Sequence, residues 1–147
     1  MNRILIATDG SDGAGQALNQ GFSFAAEVGA QALVVYVRQP PSSLLGAPHY
    51  QEAITEEARH AHGVIADAKL YAGHYDVDVE YEVIEGDTVE AILAFARSRD
   101  VDLIVVGTRG LGAVKSLVLG SVSNAILHHA DRPVLVARAP TFSAAAA

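Results

Sequence analysis

Short runs of aliphatic and β-branched residues recur along the chain at Ile4–Ala7, Ala32–Val37, Val77–Ile84, Asp102–Val106 and Pro133–Ala137. Runs of this length and composition predict strands. Four of them are nearly continuous in apolar character, as expected of strands buried on both faces of a parallel sheet. "VDVEYEVI" (77–84) alternates instead, which predicts one wetter face and a place nearer the sheet edge.

Between these runs the period lengthens. Ala14, Leu18, Phe22, Ala25 and Val28 form one helical stripe, and Ile54, Ala58, Ala61, Ile65, Ala68 and Ala72 form another. "GDTVEAILAFARSRD" (86–100) offers Asp87 or Thr88 as an N-cap, with Ile92 and Ala96 facing inward and Arg97 and Arg99 near the negative end of the helix. "SVSNAILHHA" (121–130) supplies a shorter fourth helix. Alternating β and α elements imply right-handed crossovers and a five-stranded parallel sheet with helices on both faces. The expected fold is therefore a single doubly wound, Rossmann-like α/β domain over residues 1–138. The Ala-rich end 139–147 is expected to be a disordered tail.

Residues 38–49 hold Pro40, Pro41 and Pro48 and cannot continue the second strand. A connection of this length invites two readings, a stiff surface excursion pinned by Leu44 and Leu45 or a flap over a ligand.

Composition narrows the function classes. The 147 residues carry a formal net charge of −7 and no Lys/Arg cluster, which argues against a nucleic-acid surface. There are no cysteines, so thiolate chemistry, disulfides and Cys-based zinc sites are excluded. The apolar run in "MNRILIATDG" is too short for a signal-peptide core, and no other run is long enough to span a bilayer. A cytoplasmic protein is the default expectation, without membrane or nucleic-acid partners.

The densest glycines stand in "GTRGLGAVKSLVLGS" (107–121), directly after the fourth strand. In a doubly wound sheet, ligands bind outside the carboxyl ends of the strands where the winding reverses. Gly107 and Gly110 would there let backbone N–H groups approach a phosphate. Gly120 and Ser121 open the last helix, whose N-terminal N–H groups and dipole favour an anion by ~0.3–1 kcal/mol, up to ~2 when partly buried. Ser121 and Ser123 add hydroxyl donors. The Walker A pattern fails, because Ala113 stands where its lysine is required. G-x-G-x-x-G fails too, at Lys115 after Gly110 and Gly112 and at Leu18 after Gly13 and Gly15.

The spacing that fits is Gly107, two residues, Gly110, nine residues, Gly120, Ser121. Here the chain resembles the universal stress protein family, in particular its ATP-binding branch with G-x2-G-x9-G-[S/T]. The resemblance extends over "ILIATDGS", "VVYV", "EGDTVEAILAFA" and "RPVLVAR". It implies that backbone around Val37 meets the adenine, Asp9 the ribose, and Gly107, Gly110, Gly120 and Ser121 the ribose-phosphate chain. An ionised Asp only accepts hydrogen bonds, which suits ribose hydroxyls. Asp9 has an alternative role as N-cap of the first helix.

The expected ligand is ATP, accompanied by Mg²⁺, in a homodimeric stress-response module that pairs through the last strand and acts on a protein partner. No residue is assigned as a metal ligand. Asp12 is not named as one, His60 and His62 lie on different helix faces, and His128 and His129 suit the dipole at a helix end. Arg109 and Lys115 are solvated loop cations that could reach a phosphate. No His or Glu occurs between 107 and 121 to serve as a general base, so slow hydrolysis or autophosphorylation ranks second, with a dimeric scaffold or a cyclic-AMP binder of the same fold as further alternatives.

Overall fold

The computed structural model describes residues 1–108 and 119–138. Five strands, β1 (Arg3–Ala7), β2 (Gln31–Arg38), β3 (Val79–Glu85), β4 (Leu103–Gly107) and β5 (Val134–Ala137), form one parallel sheet in the order β3-β2-β1-β4-β5. Four α-helices connect them: α1 (Asp12–Val28), α2 (Ala47–Ala72), α3 (Thr88–Ser98) and α4 (Ser121–His129). This is the doubly wound α/β fold. The expected tail at 139–147 lies outside the described residues.

Each strand sends alternate side chains to opposite faces. Ile4 and Ile6 of β1 join Leu18, Phe22 and Ala25 of α1 and Ala68 of α2. Leu5 of the same strand joins Ile92, Leu93 and Ala96 of α3 and Ile126 of α4. The central strands β1, β2 and β4 are apolar on both faces for this reason, and each fully buried Ile, Leu or Phe contributes about 1.5–3 kcal/mol. The alternating strand β3 is an edge strand, partly exposed throughout.

The strand ends shift by one or two residues from the sequence reading, and the start of α2 shifts furthest. Helix α2 starts at Ala47, ahead of Ile54, because Pro48 sits in its first turn, where a missing N–H costs no helical bond. The irregular stretch after β2 therefore narrows to residues 39–46 and contains a 3-10 turn at Ser43–Leu45, capped by the Ser42 hydroxyl accepting from Leu44 N–H. Among the described residues no helix is long and apolar enough to cross a membrane.

Candidate functional site

Strand order reverses between β1 and β4: β1 leads outward to β2 on one side, and β4 to β5 on the other. Beyond their carboxyl ends lies a cavity of about 230 Å³. Its walls come from β1 and the following turn (Ala7, Thr8, Asp9, Ser11), β2 (Val35, Val37), α3 (Thr88, Ile92), β4 (Val106, Gly107, Thr108) and the start of α4 (Gly120, Val122, Ser123), with Ala14 from α1. This is where the fold's geometry places a ligand.

Five of the residues singled out in the sequence, Asp9, Val37, Gly107, Gly120 and Ser123, line this one cavity. Ser121 stands between lining residues as the exposed first residue of α4. Gly110 lies outside the described residues, as do Arg109 and Lys115.

The β1–α1 turn fixes Asp9. Gly10 takes a φ of +81°, a left-handed conformation that favours glycine. Asp9 Oδ1 accepts from Ser11 N–H at 2.9 Å, and Ser11 Oγ accepts from Ala14 N–H at 3.3 Å. Ser11, not Asp9, is thus the N-cap of α1. The Asp9 carboxylate keeps acceptor capacity at the mouth of the cavity.

Gly107 has a packing reason to be glycine. A Cβ there would overlap the Gly13 carbonyl oxygen and stand 2.9 Å from its carbonyl carbon, so the first turn of α1 lies directly against the end of β4. Ser123 is buried, and its hydroxyl donates to the Gly107 carbonyl at 2.5 Å. In this arrangement Ser123 ties α4 to β4, and its proton is committed to Gly107.

Helix α4 begins on Gly120 with no side-chain cap, whereas Ser11 caps α1 and Asp87 caps α3. Among the described residues no side chain takes the early N–H groups of α4, which lie at the cavity wall. In the same cavity Val35, Val37, Ile92, Val106 and Val122 form apolar surface suited to a flat ring.

Sequence reasoning did not single out Thr8, Thr88, Ile92, Thr108 or Val122 as site residues. Thr88 is read there only as a possible helix cap, Ile92 as an inward-facing helix position and Val122 as part of the last helix, while Thr8 and Thr108 are given no role. For Thr8 and Thr108, a position just past the ends of β1 and β4 at the winding reversal is the signal that finds them.

A model of the universal stress protein family matches residues 1–138. The universal stress protein in the QAH/OAS sulfhydrylase 3' region of Thermus aquaticus is 42% identical over 135 residues, spanning 92% of this chain and 97% of that protein. The universal stress protein UspA from Lactobacillus plantarum has the same fold, with a TM-score of 0.78 at 24% identity over 93% of this chain and 97% of its own. A universal stress protein solved in complex with cAMP is 25% identical, with a TM-score of 0.68, covering 92% of this chain and 95% of that one.

Proposed function

The chain belongs to the universal stress protein family, and we propose that it binds ATP in the crevice between β1 and β4. One observation carries the reading: the uncapped N-terminus of α4 meets Asp9 and an apolar wall in a single cavity at the winding reversal. The apolar wall at Val37 suits an adenine ring. The Asp9 carboxylate suits ribose hydroxyls, and the α4 N–H groups with Gly120 and Ser121 suit phosphates. Gly110, from the same spacing, joins them in this proposal, as does Gly107 through its backbone. The relative in complex with cAMP supports an adenine nucleotide as the ligand class.

Asp9 is the single carboxylate among the described lining residues. Nucleotide-borne Mg²⁺ needs only one or two protein carboxylates, so the donor set is compatible with an ion carried chiefly by the phosphates. The described lining holds no His, Glu or Lys to activate a water, which favours binding over turnover. In the cytoplasm, the occupied and empty forms would differ in stability or in affinity for a protein partner. Two copies would pair through β5, an edge strand that among the described residues pairs with β4 alone.

Mass spectrometry of the ligand released from purified protein tests the reading. Recovery of ATP supports it, and recovery of an unrelated small molecule from the folded protein would contradict it.

A further inference from the structure

The crevice's polar side chains are unequally committed. Thr8 Oγ1 accepts from Gly10 N–H at 3.3 Å, Asp9 Oδ1 from Ser11 N–H and Ser11 Oγ from Ala14 N–H, while Ser123 donates to Gly107. All of these come from β1, β4, α1, α4 or the turns beside them, where among the described residues the Thr108 hydroxyl also takes part in no hydrogen bond. Thr88 stands on another element, at the start of α3, one turn before Ile92. Among the described residues its hydroxyl takes part in no hydrogen bond. Nor does the helix need it, because the Asp87 carboxylate already caps α3 by accepting from Glu90 N–H at 3.1 Å.

We propose that Thr88 is the side chain that contacts the base of the bound nucleotide, an inference that rests on the assignment of the crevice to an adenine nucleotide. Val37 and Ile92 give apolar surface beside it, so a ring seated there would leave one polar edge facing the α3 N-terminus. The positive end of the α3 dipole favours an acceptor at that edge. The Thr88 hydroxyl donates to a ring nitrogen of the heteroaromatic base, while the triphosphate lies toward α4.

The test compares wild type, Thr88→Ser and Thr88→Val by ATP titration, by competition with inorganic tripolyphosphate and by thermal melting. Valine keeps the shape of threonine and leaves the Asp87 cap intact, so all three proteins should melt alike. Thr88→Val should bind ATP about 3- to 10-fold more weakly, the size expected for one neutral hydrogen bond. Thr88→Ser should stay within about twofold of wild type, and tripolyphosphate affinity should be the same in all three. Unchanged ATP affinity in Thr88→Val would overturn the proposal. So would a parallel loss of tripolyphosphate affinity, which would show a general disturbance of the site. Absence of ATP binding by wild type would instead overturn the nucleotide assignment, and this inference with it.

Discussion

At the residue scale, glycines and acids that look alike in sequence do different things. Gly107 is held to glycine by the Gly13 carbonyl, whatever a ligand does. Gly107→Ala should therefore destabilise the protein by ~1–3 kcal/mol, the usual cost of overpacking. Urea denaturation checks this, and an unchanged midpoint would show that α1 does not press on β4. Asp9 is free of the cap role, since Ser11 holds the start of α1. Asp9→Ala loses the acceptor of Ser11 N–H and should lower the melting temperature modestly, weaken ATP binding by ~1.5–3 kcal/mol and spare tripolyphosphate. A fall in melting temperature with ATP affinity unchanged would remove Asp9 from the site. The residue scale also shows where sequence was least informative. Spacing drew attention to Gly107 and Gly120, and the start of the last helix to Ser123, but neither reveals that Ser123 donates to Gly107 or that the neighbour demanding a small residue at 107 is Gly13. Both facts depend on which helix packs against which strand end.

At the scale of elements, hydrophobic period carried most of the reading. All five strands and four helices stand where the runs and stripes place them, and the alternation of 77–84 marked β3 as an edge. The start of α2 was hidden because its first turns, residues 47–53, are largely solvent-facing and show no apolar stripe. Strand β1 is anchored by a device with no periodic signature. Asp102, just ahead of β4, accepts from the backbone N–H groups of Asn2 at 2.6 Å and Arg3 at 3.0 Å. Donation from Asn2, then Arg3, holds the Asp102 carboxyl below the usual aspartate range. A depressed carboxyl stabilises the fold fully above its unfolded value of ~3.9 and loses that contribution as pH falls through the lower folded value. Asp102→Ala should therefore be less stable than wild type at neutral pH, and the gap should narrow as pH falls below the unfolded aspartate value and through the lower folded one. Urea midpoints of both proteins across that range check it, and a gap independent of pH would assign the effect to something other than the carboxylate.

At the scale of the whole molecule, the cavity lies beyond the carboxyl ends of β1 and β4, while β5 is an edge strand of the sheet. The Pro133 and Ala137 carbonyls accept from β4. By the alternation of an extended strand, the N–H of Val136 therefore faces away from the sheet. Val136→Pro should remove an outward donor without breaking the β4 ladder, and should convert the proposed dimer to a monomer. Light scattering after size exclusion checks this; a wild-type monomer at tens of micromolar, or a folded Val136→Pro dimer, would reject pairing through β5. The central claim, that the crevice holds ATP with its phosphates at the start of α4, is tested most directly by calorimetric titration of wild type and Gly120→Val. Gly120 has φ −61° and ψ 162°, an extended conformation open to any L-residue, so the fold should accept valine. Gly120 lines the cavity immediately before the first turn of α4, so the added side chain would be introduced beside the α4 N–H groups. The account predicts saturable ATP binding to wild type and its loss in a folded Gly120→Val protein; equal ATP affinity in the two would contradict it.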